Sequence, residues 1–155
     1  MIGSASSTIY QEGYHEGFGI SIPQPGIDAM KAHAERTFPN ECCGFFFGTD
    51  EGKRIITVVQ EVKNAQEGDQ RRRFMVDPLD YMKAEKWAAQ NDLLLLGIYH
   101  SHPNHPAKPS IHDLKQASPY FSYIILSIQE GTFNHIRSWR LGEDDHFLEE
   151  EIRVE

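Results

Sequence analysis

Residues 93–113 read LLLLGIYHSHPNHPAKPSIHD, and most of what this chain reveals lies in them. The apolar run from Leu93 to Tyr99 predicts a buried central strand. Side chains alternate along a strand, so His100 and His102 are expected to project from the same face at its carboxyl end. Two imidazoles on one face can share one metal ion, and the stretch therefore predicts a strand that ends in a metal site.

A third candidate ligand follows the strand. Pro103 is expected to end the strand ladder, and the segment from Ser110 to Asp113 has the pattern of a first helical turn. Such a turn can bring the Asp113 carboxylate back toward the two histidines. Zinc with three protein ligands keeps a fourth position for water, which is typical of catalytic sites. The alternative to a metal site is that the histidines are ordinary and that Ser110 and Asp113 only cap a helix. The His-x-His pair and the helix start occur together at the end of one buried strand, which favours the metal site.

The spacing of these residues resembles the JAMM (MPN+) metalloproteases. The motif of that family is an upstream glutamate, then His-x-His-Pro, seven residues from the second histidine to a serine, and then x-x-Asp. In this chain residues 103–109 make up the seven, and Glu41 within NECCGFFFG (residues 40–48) supplies the glutamate. The segments FMVDPL (74–79) and GIY (97–99) resemble the small bacterial branch. The resemblance covers about residues 18–140.

The resemblance implies a role for each motif residue. His100, His102 and Asp113 would hold Zn²⁺, which lowers the pKa of bound water to about 7. Glu41 would act as general base and then as general acid. Ser110 would donate a hydrogen bond to the oxyanion that forms during hydrolysis of an amide.

Composition limits the class of protein. With 155 residues, 39% hydrophobic and 25% charged, the chain suits one globular domain. The formal charge of −8 argues against nucleic acid as the main partner, and Arg71–Arg73, the only basic patch, favours a solvated loop over a carboxylate-binding role. The sequence has no apparent signal peptide and no apolar run of about 20 residues, so we expect a cytoplasmic protein that does not bind membranes.

The order of elements predicts an α/β fold, a single domain with a mixed β-sheet flanked by helices. We expect residues 1–17 to be a loose tail or an extra strand, followed by a metalloprotease domain over residues 18–155. The sequence predicts helices over about 27–37, 77–90 and 110–117. Predicted strands are Gly19–Ile22, Cys43–Phe47, Arg54–Val62, one through Phe74, Leu93–Tyr99, Phe121–Ile128, Phe133–Arg140 and an edge strand over His146–Val154.

The two cysteines, Cys42 and Cys43, are adjacent, which disfavours an ordinary disulfide within the domain. We expect at least one of them to pack in the core. Two alternatives involve them: a thiolate as fourth zinc ligand that closes the site, or a cysteine protease. His105 is expected to line the mouth of the site, and His112 to face outward.

The family resemblance also implies a substrate, the amide bond that follows the C-terminal Gly-Gly tail of a ubiquitin-like protein. The chain is too compact for the large insertions of eukaryotic deubiquitinating members. It is more similar to bacterial members associated with small sulfur-carrier proteins, or to phage tail-assembly peptidases. A non-catalytic MPN scaffold that binds proteins is the alternative function. Nothing in the sequence predicts an oligomeric state.

Overall fold

A computed structural model describes residues 9–155. Of the segment predicted as a loose tail or extra strand, residues 1–8 lie outside the described part, and Tyr10–Gln11 form a short strand, β1. Within residues 9–155, every helix is too short or too polar to cross a lipid bilayer.

The centre of the molecule is one mixed sheet in the order β1-β8-β2-β4-β3-β5-β6-β7. Because β8 also pairs with β7, seven strands form a closed ring, and β1 extends it beside β8. The pairs β5–β6 and β2–β4 are parallel, whereas β3–β4 and β3–β5 are antiparallel. The predicted α/β class with a mixed sheet is confirmed. Besides β1, the strands are β2 (Gly19–Ile22), β3 (Cys43–Asp50), β4 (Arg54–Val62), β5 (Leu94–Pro103), β6 (Ser122–Gln129), β7 (Thr132–Leu141) and β8 (Phe147–Val154).

Three α-helices accompany the sheet: α1 (Gln24–Thr37), α2 (Pro78–Gln90) and α3 (Ile111–Gln116). Helix α2 begins where the sequence predicts it, because the Asp77 side chain accepts a hydrogen bond of 2.8 Å from the Leu79 backbone N–H and Pro78 supplies the fixed φ of a first helical turn. Helix α3, the shortest of the three, follows the loop after the two histidines.

The alternation of side chains along β3 divides the core in two. Phe45 and Phe47 belong to one hydrophobic cluster, which includes Ala88 of α2. Phe46 faces the other side of the strand and joins a second cluster, which includes Met30 of α1. Both faces of the central strands are thus covered by a helix, as expected for strands that are apolar throughout.

Two predicted elements are wrong. No strand passes through Phe74, because residues 63–77 form a loop. The Asn64 side chain holds this loop: its amide oxygen accepts from the Gln66 and Met75 backbone N–H groups, and this local bonding competes with a strand ladder. The last strand, β8, is not an edge strand, because β1 and β2 pair with one side of it and β7 with the other.

Candidate active site

The antiparallel pairing of β3 and β5 brings the upstream glutamate to the histidines. Cys43, at the start of β3, pairs with His100, near the end of β5. Beyond that pair, the Ser101 backbone N–H donates to the Cys42 carbonyl (3.2 Å), and the Ser101 hydroxyl accepts from the Cys42 N–H (2.8 Å). Glu41, the next residue back, therefore lies at the carboxyl end of β5 although it is about sixty residues away in sequence.

His100, His102 and Asp113 form a buried cluster. The two Nε2 atoms lie 3.2 Å apart. The Asp113 carboxylate presents one oxygen to each ring, with Oδ1 at 3.2 Å from Nε2 of His100 and Oδ2 at 3.2 Å from Nε2 of His102. All three side chains therefore point their ligating atoms at one place. The period of two along the strand predicts this for the two histidines, and the pattern of a helix start predicts it for Asp113.

These separations fit a zinc ion. In a tetrahedron with ligands about 2.0–2.1 Å from the metal, neighbouring ligand atoms lie about 3.3–3.4 Å apart. His102 Nδ1 lies 2.9 Å from the Pro106 carbonyl and must donate to it, so in the neutral ring Nε2 carries no proton and can bind a metal. Phe74 stacks on the His100 ring at 4.4 Å between centroids and fixes the orientation of that ring.

The charge states of the cluster also suit a cation. Burial opposes ionisation of Asp113, but the neighbouring His100 and His102 outweigh it and hold the pKa of this carboxyl below its ordinary value. Complete burial lowers the pKa of His100, so its ring is neutral at neutral pH. Burial also opposes protonation of His102, but Asp113 outweighs it and raises the pKa of that ring, so a bound metal must displace a proton there. The ionised Asp113 and the neutral His100 are already in the state that metal binding requires.

Ser110 caps helix α3 together with Asp113. The Ser110 hydroxyl oxygen accepts from the Asp113 backbone N–H at 3.1 Å, and Asp113 Oδ2 accepts from the Ser110 N–H at 2.8 Å. This capping box positions the Asp113 carboxylate in the cluster. The hydroxyl oxygen of Ser110 serves here as an acceptor, so its hydrogen remains free to donate to another group.

Glu41 is a buried carboxyl next to the metal-binding cluster. Only 4% of it is exposed, and its Oε1 has no hydrogen-bond partner among the described residues. Burial raises the pKa of Glu41 to about 8, with His102 lowering it and Asp113 and Asp69 raising it further. A carboxyl whose pKa lies near neutrality can both take up and release a proton in this range.

We expect Glu41→Gln to stabilise the metal-free protein above pH 5. The pKa of Glu41 rises from 4.5 to about 8 on folding, so the folded state retains a proton that the unfolded state releases. Keeping this proton lowers the free energy of unfolding of the wild type. The decrease is absent below pH 4.5, grows as the pH rises toward 8, and then stays constant at about a few kcal/mol, the size that a pKa difference of this kind implies. Because glutamine does not titrate, the free energy of unfolding of the Glu41→Gln variant does not contain this decrease.

Urea unfolding of both proteins between pH 4 and 9, with chelator present, measures this difference. The matched control is Glu67→Gln, which removes an exposed carboxylate on the same cavity. Stability curves for wild type and Glu41→Gln that stay parallel over the whole range would contradict the raised pKa.

The loop between the histidines and α3 is held by β6 and β7. His135 Nε2 accepts from the Ala107 N–H and the Trp139 indole donates to the Ala107 carbonyl, both at 3.0 Å. The Ser127 hydroxyl donates to the His105 carbonyl at 2.6 Å. These contacts lie on either side of Pro106, whose carbonyl orients His102, and sequence reasoning missed them because they join strands distant in sequence.

The candidate site opens into a cavity of about 580 Å³. Glu41, His102 and Ser110 line it, as does His105, which the sequence predicts at the mouth. His112 also lines it and is half-buried, so the prediction that it faces outward is only partly right. Loop 63–77 also lines the cavity, with Gln66, Glu67, Asp69, Arg72 and Arg73. The arginine patch lies exposed in a loop, as the sequence favours, and two of its members, Arg72 and Arg73, also line the cavity.

The structure disfavours the two alternatives that use cysteine. Cys42 and Cys43 are both free and buried, as predicted, and they lie in different hydrophobic clusters. Burial raises the pKa of the Cys42 thiol to about 12 and raises that of Cys43 as well, so neither forms a thiolate at neutral pH. Among the described residues, the cluster able to hold a metal contains no sulfur.

Comparison with known proteins agrees with the motif. Residues 23–142 match the family of prokaryotic homologues of the JAB domain. The chain is 34% identical to a Thermus thermophilus protein named "Probable TtuB-protein conjugate cleaving protease", over 73% of this chain and 72% of the relative. It is 31% identical to the CysO-cysteine peptidase of Mycobacterium tuberculosis, over 83% and 86%. Both names describe peptidases, which supports a hydrolase.

Comparison with a solved structure shows that the fold is also similar to that of a known protein. A solution structure of a Desulfitobacterium hafniense protein superposes with a TM-score of 0.76 at 32% identity and covers 88% of this chain and 92% of that one. The JAMM resemblance of the sequence is thereby confirmed, and the chain belongs to the prokaryotic homologues of the JAB domain.

Proposed function

We propose that this protein is a zinc-dependent metallopeptidase that hydrolyses the amide bond after the C-terminal Gly-Gly tail of a ubiquitin-like or sulfur-carrier protein. The observation that carries the proposal is the buried cluster of His100, His102 and Asp113, whose His102 lines a cavity together with Glu41, a carboxyl with one oxygen, Oε1, that has no partner among residues 9–155. A metal held by this cluster and the carboxyl of Glu41 would both be within reach of a carbonyl bound in the cavity.

Each side chain of the site has a role that follows from its chemistry. His100 and His102, through Nε2, and Asp113, through its carboxylate, would hold the zinc ion. When bound, zinc with an open position polarises a carbonyl and lowers the pKa of water. Glu41 accepts the proton of the attacking water at its carboxylate and delivers it to the nitrogen of the leaving amine, so that the amine departs uncharged.

Ser110 donates its free hydroxyl hydrogen to the oxygen of the tetrahedral intermediate. Its oxygen is held by the Asp113 N–H, so the hydroxyl can rotate about a fixed position at the cavity wall. Donors preorganised in this way contribute about 3 kcal/mol to the barrier reduction where water is excluded.

Replacing Ser110 separates this role from helix capping. We expect Ser110→Ala and Ser110→Gly to lower kcat by similar factors of about 10²–10³, because both lack the hydroxyl. Their stabilities should differ, since glycine at an N-cap costs only a few tenths of a kcal/mol whereas alanine costs about 1 kcal/mol. A rate loss that follows stability, large for alanine and small for glycine, would show that Ser110 serves only the cap.

The substrate class rests on the relatives, one named for TtuB-protein conjugates and the other for CysO-cysteine. The chain is compact, and we infer that it gains specificity by docking a folded carrier whose tail enters the cavity. Remote binding of this kind lowers the barrier by positioning the tail at the site. A partner of this class is a protein, and neither nucleic acid nor membrane is required.

The test compares an extended ubiquitin-like sulfur carrier with its isolated C-terminal peptide at matched zinc and pH. We expect kcat/KM for the folded carrier to exceed that for the peptide by at least about tenfold, the effect of a positioning gain of 1.4 kcal/mol or more. Equal efficiency would favour a general peptidase. Cleavage of neither substrate despite bound zinc would favour the alternative, a non-catalytic scaffold.

A further inference from the structure

The backbone of Glu41 is bound by loop 63–77. Its N–H donates to the Gln70 carbonyl at 2.7 Å, and its carbonyl accepts from the side-chain amide of Asn64 at 3.1 Å. The Gln70 side chain donates in turn to the Asn64 carbonyl at 3.2 Å. Glu41 lies two residues before the start of β3, so these bonds stand where a strand residue would have ladder bonds. The position of the candidate base therefore depends on the loop, and both connections lead to Asn64.

Strand register places Asn64 opposite Glu41. Cys43 pairs with Val62 in the antiparallel ladder of β3 and β4. Continued by two residues, this register sets Asn64 across from Glu41, at the point where the two backbones no longer form a ladder. The side chain of Asn64 spans the gap and binds the Glu41 carbonyl. Its place is therefore a consequence of the sheet, although the residue itself belongs to the loop.

The side-chain amide of Asn64 uses its full hydrogen-bonding capacity. Its nitrogen donates to the carbonyls of Glu41 and Arg73, both at 3.1 Å. Its oxygen accepts from the backbone N–H groups of Gln66 and Met75, both at 3.0 Å. An amide has two donor hydrogens and two acceptor lone pairs, and all four are engaged here. Aspartate has the same shape but no donor, so it could make only the two bonds within the loop.

The same side chain connects the base to the metal cluster. Phe74 lies between the two loop residues, 73 and 75, whose backbones the Asn64 amide binds. The Phe74 ring stacks on the ring of His100 at 4.4 Å between centroids. Asn64 therefore holds the backbone of Glu41 and, at the same time, the backbone on both sides of a residue packed against a candidate metal ligand.

We propose that Asn64 is a positioning residue, which sets the Glu41 carboxyl at the metal-bound water by holding the Glu41 backbone. This inference rests on the proposed function. Asn64 does not line the cavity, so it acts through Glu41 and not on the substrate. A reacting group displaced by about 1 Å can cost about 10²-fold in rate, so the backbone that carries a base must be fixed.

The experiment combines substitutions at the two positions. Asn64→Asp keeps the two bonds within the loop and turns an oxygen toward the Glu41 carbonyl, whereas Asn64→Ala removes all four bonds and adds no charge. Each is made in the wild type and in Glu41→Gln, and loaded with zinc. Cleavage of an extended ubiquitin-like sulfur carrier gives kcat and KM, and elemental analysis and thermal unfolding check zinc content and fold.

The matched control is Asn91→Asp. The Asn91 side-chain amide also donates to a backbone carbonyl, that of Trp87 at 2.8 Å, but it lies at the end of α2 and does not line the cavity. This variant makes the same chemical change as Asn64→Asp at a distance from the candidate base, and it should match wild type in kcat and KM.

We expect Asn64→Asp and Asn64→Ala to lower kcat by about 10- to 100-fold, with KM within a few-fold of wild type and zinc content unchanged. Asn64→Ala should also unfold at a lower temperature, because two loop N–H groups lose their acceptor. In the Glu41→Gln background neither substitution should lower kcat further, since the base that they displace is already gone. This non-additivity distinguishes action through Glu41 from a general loss of structure.

Three results would overturn the inference and leave the proposed function in place. The first is a rate loss of the same factor with and without Glu41, which would show that Asn64 supports the loop alone. The second is a loss in Asn64→Asp but not in Asn64→Ala, which would assign the effect to charge. The third is an unchanged kcat in both variants. A wild type that binds zinc and cleaves no carrier would overturn both proposals.

Discussion

Glu41→Gln should lose about 10²–10⁴-fold in kcat while it keeps one zinc per chain and the native fold. Glutamine has nearly the same volume as glutamate, and its amide cannot accept a proton from the attacking water. The Glu41 side chain is buried, and its Oε1 makes no hydrogen bond that the substitution would break. The measurement is the rate of tail cleavage with elemental analysis of the same sample.

The matched control for this variant is Glu67→Gln, which removes an exposed carboxylate from the same cavity and should leave kcat within a few-fold of wild type. Substantial turnover by Glu41→Gln would exclude Glu41 as the base. Loss of zinc from that variant would instead place Glu41 among the metal ligands.

The double variant His102→Ala, Asp113→Ala should contain almost no zinc and show no cleavage above the uncatalysed rate. It removes two of the three candidate ligands and leaves His100 alone, and a single imidazole does not hold zinc against dilution. Asp113→Ala also removes half of the capping box of α3, so the variant should be less stable by about 1 kcal/mol. Elemental analysis after dialysis measures the zinc content.

Two other histidines of the cavity provide the control for zinc binding. His105→Ala and His112→Ala should keep full zinc occupancy, because both lie outside the candidate cluster. Full occupancy in the double variant would remove the proposed site. In wild type, zinc should dissociate as the pH falls, because protons compete for the histidine nitrogens.

The parts of the site that are local in sequence could be predicted from it. Period-two alternation places His100 and His102 on one face, and the pattern of a helix start places Asp113 beside them, all within 14 residues. Glu41 could be identified only through the family resemblance. Its position depends on the register between Cys43 and His100, and strand register between distant segments has no signature in local periodicity.

The errors in the fold have the same origin. The strand predicted through Phe74 is absent because one side chain, Asn64, satisfies backbone groups across loop 63–77, and polarity alone does not reveal such a network. Arg73 lies exposed in this loop, as the sequence favours, but its place on the cavity depends on the same network and has no signature in the sequence. The sequence predicts an edge position for the last strand because nothing in it specifies a neighbour on each side.

The ring closure by β8 has a consequence for how the protein acquires its structure in the cell. Ile20 pairs with Ile152, and the ribosome makes the second of these residues more than a hundred residues after the first. Until β8 emerges, β2 and β7 each lack a neighbour, and unpaired strand borders are prone to aggregation. Contacts this remote in sequence slow folding. We therefore expect the nascent chain to depend on chaperones until β8 has been synthesised, and a chain cut before Phe147 to accumulate in inclusion bodies.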